Sequence, residues 1–219
     1  MTEAEVVLPN DEFFPDPYDM STDSAQRLFN RICTLMRVDP SSIVLDLFPD
    51  VADELREVVP VWSSRGQAKG CAAGIYYLPD ELAADKRAEI ALQQSLLKEP
   101  SKLIATIAHE VGHAILLGGK LIATDTSDQE PLTDLLTVFV GLGIFGANSS
   151  AHFRQFTEPG RQGWSMSRLG YLGQEMFGYA LAKFAIERGE PRPEWARFLS
   201  TNLRVYFRRS SDWLMRRAS

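Results

Sequence analysis

Two of the three histidines in this chain, His109 and His113, stand four residues apart, and Glu110 directly follows the first. Positions four apart lie one above the other on one face of an α-helix, so both imidazoles can be aimed at a single ion. Two nitrogen donors at that spacing suit a tetrahedral zinc site. Glu110 falls about 100° round the helix from His109. That turn keeps its carboxylate off the ion and within reach of a water beside it, where a general base belongs. The chemistry indicated is metal-assisted hydrolysis. The plainer reading is two packed or surface histidines on an ordinary helix, but the intervening glutamate and the use of most of the chain's histidine favour a metal.

The surrounding residues are those of a helix. Ile104, Ile107, Ala108, Val111 and Ile115 recur at helical spacing, and Gly118 with Gly119 is expected to supply a left-handed stop. Gly112 costs about 1 kcal/mol inside a helix relative to alanine, which a close neighbour such as a packed backbone or a substrate strand would explain. Downstream, Asp128 can cap a second helix with Pro131 in its first turn, running on through residues 132–147. Its interior is apolar nearly all round and should be buried. Glu130 and Asp134 share one face of it, four apart, and two buried acids call for a counter-charge such as a divalent cation. The connection between the helices can extend to roughly 33 Å, ample for the second to return beside His113.

His109-Glu110-Val111-Gly112-His113 followed by Glu130-Pro131-Leu132-Thr133-Asp134 resembles the gluzincin metallopeptidases. The resemblance covers about residues 72–147. It implies one zinc ion held by His109, His113 and Glu130, Glu110 as general base, and Asp134 hydrogen-bonded to the first histidine. It also implies a zincin-like fold with an edge strand, residues 88–92 or 72–78, that pairs with an extended peptide substrate. An aspartate ligand, Asp134, would make the site similar to aspzincins instead. Peptide deformylases also carry this histidine spacing with an upstream cysteine, here Cys71 in Lys69-Gly70-Cys71-Ala72, but their glutamate, serine and glycine-rich motif are missing.

Three protein ligands leave a fourth position open, and Glu110 would pass a proton from the attacking water to the leaving amine. The developing oxyanion needs a further donor. Candidates are Tyr171, Tyr179, His152 and Arg168, with Tyr171 first because Gly170 and Gly173 around it would let substrate approach. The activity implied is that of a zinc metallopeptidase acting on a peptide or protein. The alternative is a non-catalytic, zinc-stabilised binding or regulatory module, motivated by the mostly helical remainder after residue 147. An intact glutamate between the histidines favours the enzyme, since a structural site needs no base.

The elements around this pair predict an α+β fold: a small mixed or antiparallel sheet packed on the active-site helix, and a helical C-terminal half. Residues 42–48, 72–78 and 88–92 read as strands, 51–58 and 81–86 as short turns or helices, and 24–36 as a helix with Leu28, Ile32, Leu35 and Met36 along one side. Residues 163–189 and 194–217 read as further helices separated by Pro191-Arg192-Pro193. Residues 1–20, acidic and holding Pro9, Pro15 and Pro17, are expected to form a mobile arm before a single domain over 21–219.

A net charge of −6 argues against nucleic acid as partner. Acids and bases are unevenly spread, with seven acids and no base through Asp23 and seven arginines between Arg192 and Arg217. The simplest account is a solvated acidic tail and an arginine-studded helix face. The two cysteines, Cys33 and Cys71, do not make a disulfide framework. With no basic start followed by an apolar run, and no segment long enough to span a bilayer, a cytoplasmic location is expected.

Overall fold

The computed structural model describes residues 4–50, 61–63, 66–68, 73–79, 87–155 and 172–218. The fold is α+β, mostly helical, with one small mixed sheet. By its contacts the chain divides into two compact units: Phe14–Asp125, and Met1–Phe13 together with Thr126–Ser219. Segments 51–58 and 81–86, along with Cys71, Arg168 and Tyr171, lie outside the described residues. Among the described residues no helix is long and apolar enough to cross a membrane.

The first unit begins with α1, Thr22–Leu35, capped by the Ser21 hydroxyl, which accepts from the Ser24 N–H. Ala25, Phe29, Ile32, Cys33 and Met36 form its buried stripe, while Leu28 and Leu35 are half-buried. Strands β1 (Ile43–Phe48), β4 (Gly74–Tyr77) and β5 (Ala88–Gln93) form the sheet in the order β1-β5-β4, parallel on one side of β5 and antiparallel on the other. Strands β2 (Val61–Ser63) and β3 (Gly66–Ala68) pair as a separate antiparallel ribbon. Residues 88–92, one of the two expected edge strands, are therefore the centre of the sheet. All but the last residue of β5 are buried, as expected of a strand with neighbours on both edges. The edge beside the helix that carries His109 and His113 is β4.

Helix α2, Pro100–His113, opens with proline at its first position, where a missing N–H leaves nothing unpaired. It carries Leu103, Ile107 and Val111 into the core and runs on as a single π-helical turn, Ala114–Gly118. The expected left-handed stop at Gly118 and Gly119 is not where the helix ends. Gly119 has φ −75°, and Lys120 takes the left-handed conformation at φ 55°. The π turn absorbs one extra residue, so the chain reaches its reversal one position later. There the Leu121 and Lys120 N–H groups close on the Leu116 and Leu117 carbonyls, the Schellman pattern.

The second unit holds α3 (Gln129–Phe139), α4 (Gly143–Gln155), α5 (Gln174–Glu187) and α6 (Thr201–Ala218). The sequence reading runs one helix through residue 147, but the chain breaks after Phe139. At the break Gly141 adopts φ 90° and its carbonyl accepts from the Val7 N–H at 3.0 Å. A side chain there would collide with the Glu5 carbonyl oxygen, so glycine is needed for both conformation and space. Residues read from sequence as a mobile arm thus have named partners here. Val7 is buried, Val6 and Leu8 pack against the helical core, and Arg188 donates to the Ala4 carbonyl.

That core gathers Phe177 and Leu181 from α5, Leu203 and Phe207 from α6, and Trp195 and Leu199 from the segment between. Helices α5 and α6 approach closely at Gly178, where a β-carbon would lie 2.5 Å from that of Tyr206. The expected helix from 194 is interrupted before Thr201, where the Asn148 side chain donates to the Phe198 carbonyl and accepts from the Ser200 N–H. Val205 and Trp213 are exposed. The Arg217 guanidinium covers the Trp213 ring at 4.4 Å.

Two expectations follow. Gly141→Ala should destabilise the helical unit by more than the roughly 1–2 kcal/mol of left-handed strain, because collision adds to it. Gly189→Ala, at φ 75° with nothing within 4 Å, should cost only the strain; urea unfolding of both variants measures the difference. Burial pushes the Cys33 thiol up to about 12. In a Cys71→Ser background it should resist a disulfide reagent at pH 8 until the protein unfolds.

Candidate metal centre

In α2 the two histidine rings lie with centroids 4.8 Å apart and planes at 83°. Both are buried, as is Glu110 between them. Helical spacing alone accounts for this stacking, because residues four apart differ by little more than one turn of rise. Glu110 points toward the start of β4. A β-carbon at Gly74 would lie 2.9 Å from both Cγ and Oε1 of Glu110, and 2.7 Å from Cγ2 of Thr106. The close approach to the metal-binding motif is therefore made by a strand glycine that the sequence reading passed over. An isolated glycine in a strand is a signal of close contact and could have found it.

In α3, Glu130 occupies the first turn and is half-buried, and Asp134 one turn later is buried. Asp128 precedes the helix as expected but makes no side-chain cap bond. Asp134 Oδ2 accepts a hydrogen bond from the Leu172 N–H at 2.8 Å, just before α5. The Thr133 and Thr137 hydroxyls turn back to carbonyls of their own helix, donating to Gln129 and Asp134. The face presented by Glu130 and Asp134 is thus held by bonds that keep the threonines satisfied locally.

His109, His113 and Glu130 form a group that could hold a metal ion, one ligand atom from each lying within 4.8 Å of the others. Ligand atoms of a tetrahedral zinc stand about 3.3 Å apart, given bonds of about 2.0–2.1 Å. Two imidazoles and a carboxylate suit zinc and neighbouring transition metals, and leave a coordination position free. The group contains Glu130 and not Asp134, whose Oδ2 is engaged with Leu172.

Of the oxyanion candidates, His152 falls in α4. Tyr179 is an exposed residue of α5 with its ring 6.2 Å from that of Trp213. Comparison with family models, with curated proteins and with solved structures returns no match in any of the three.

His113→Ala and Glu130→Ala should each lose most of the bound divalent ion, whereas Glu187→Ala, at an exposed position on α5, should keep it. Metal analysis after dialysis against zinc reads the difference.

Proposed function

We propose that this chain is a zinc-dependent peptidase of gluzincin type, built on a zincin-like fold and working in the cytoplasm. The observation that supports it most is the convergence of His109, His113 and Glu130, with a buried glutamate between the two histidines. A zinc ion held there would polarise a substrate carbonyl and lower the pKa of water toward about 7. His109, His113 and Glu130 would hold it, and the gluzincin resemblance implies Asp134 as the partner of His109. Partners of that kind typically change metal affinity by 10–100-fold when removed.

Glu110 takes the proton from the attacking water and returns it to the leaving amine as the peptide bond breaks. Edge strand β4 supports a peptide substrate. Ala73 accepts from the Gln93 N–H, so by the alternation of an antiparallel ladder Gly74 and Tyr76 turn their N–H and C=O groups away from β5. Among the described strands none pairs with that edge. An extended peptide laid along it would run past Glu110.

Glu110→Gln should retain the metal and lower cleavage of denatured protein substrates by about 10²–10⁴-fold. Equal turnover by variant and wild type would remove Glu110 as the base. Metal-dependent thermal stability with no cleavage by either would favour the non-catalytic module.

A further inference from the structure

The peptidase reading assigns Glu110 its task but leaves open what holds a three-torsion side chain at the right place. Within the unit that carries α2, strand β4 supplies an answer. Gly74 and Tyr76 share one strand face, successive residues pointing to opposite sides. At Gly74 the strand is small and the helix large. The Glu110 carboxylate lies in the volume a side chain at 74 would need, since a β-carbon would meet its Cγ and Oε1 at 2.9 Å.

Two residues further along, the relation reverses. Tyr76 is the large residue and Gly118 the small one, a β-carbon at 118 falling 2.6 Å from the Tyr76 hydroxyl oxygen. The π turn decides which helix residue meets that ring. It absorbs one residue, so Gly118 stands where a regular α-helix would place Leu117. The phenol is half-buried, and burial raises its pKa above the usual value, so it remains a neutral spacer across the working pH range.

We propose that these two glycine seats key the edge strand to the metal-binding helix, making Gly74 and Tyr76 positioning residues that hold the Glu110 carboxylate against the substrate-pairing edge. The proposal rests on Glu110 being the base and adds how it is held. With strand backbone beside the carboxylate, it cannot move further toward β4. The seat therefore narrows where Glu110 can place its oxygens before substrate arrives, which is the purpose of a supporting contact around a reacting group. The second seat fixes the strand lengthwise, so that the first cannot slip along the helix.

Double-mutant cycles on the full chain in its metal-free form test the seats without relying on activity. Gly74→Ala should lower the thermal midpoint, and should lower it by less in a Glu110→Ala background, where the contacts with Cγ and Oε1 of Glu110 are gone and that with Thr106 remains. Gly118→Ala should likewise cost less in a Tyr76→Phe background, which removes the obstructing oxygen; this milder pair serves if Gly74→Ala does not fold. Shifts of roughly 2–4 °C or more are expected for single variants. Strict additivity in both pairs would overturn the proposal.

The activity arm uses Gly74→Ala loaded with zinc. Cleavage should fall by about a hundredfold with metal content unchanged, the loss expected from misplacing a reacting group by about 1 Å. Unchanged cleavage would count against a positioning role. If the wild type binds zinc but cleaves nothing, the peptidase reading fails while the cycles still report whether the seats exist.

Discussion

Three polar side chains buried within little more than one turn of a single helix set the terms for what surrounds them. His109, Glu110 and His113 are 6%, 4% and 7% exposed, alongside Leu103, Ile107 and Val111 at 0%. Taking such groups out of water is costly unless new partners replace the lost hydration. A helix buried only for packing would carry aliphatic residues at these positions too. Donors and acceptors are concentrated in an otherwise apolar segment, and the two imidazoles with Glu130 form a group that could hold a metal ion.

Local backbone devices place these side chains. Helices α1 and α2 and the C-terminal end of α5 all finish with a left-handed residue whose neighbours close onto the last carbonyls, at Arg37, Lys120 and Gly189. Two of the three are not glycine, so the chain accepts about 1–2 kcal/mol of strain at each. In α2 the delay of that ending by the π turn has a further consequence, because it brings Gly118 against the Tyr76 hydroxyl. A local irregularity in one helix thus registers a strand against it. The mixed sheet contributes in the same way: β5, paired on both edges and buried, leaves β4 as the edge beside α2.

The functional reading rests on such physical features. A five-residue motif can be shared by chance, whereas a motif whose helix is buried, and whose two donors meet a third from a separate helix, satisfies several independent conditions. The small sheet and mostly helical content agree with the layout that the order of strands and helices implied.

What the sequence determined is whatever depends on neighbours along the chain. The stacking of His109 over His113, the orientation of Glu110 round the same helix, the pairing of Glu130 with Asp134 on one face, and strands at 43–48, 74–77 and 88–93 all follow from periods of 3.6 and 2 residues. Tertiary structure decided what depends on residues far apart. Which strand becomes the edge, why the helix from Gln129 stops at Phe139, and what faces Glu110 could not be read from spacing. For the last two the deciding partner is remote in sequence: the backbone of residues 5–7 for Gly141, and Gly74 for Glu110. Periodicity shows which way a side chain points, and only packing shows what it meets.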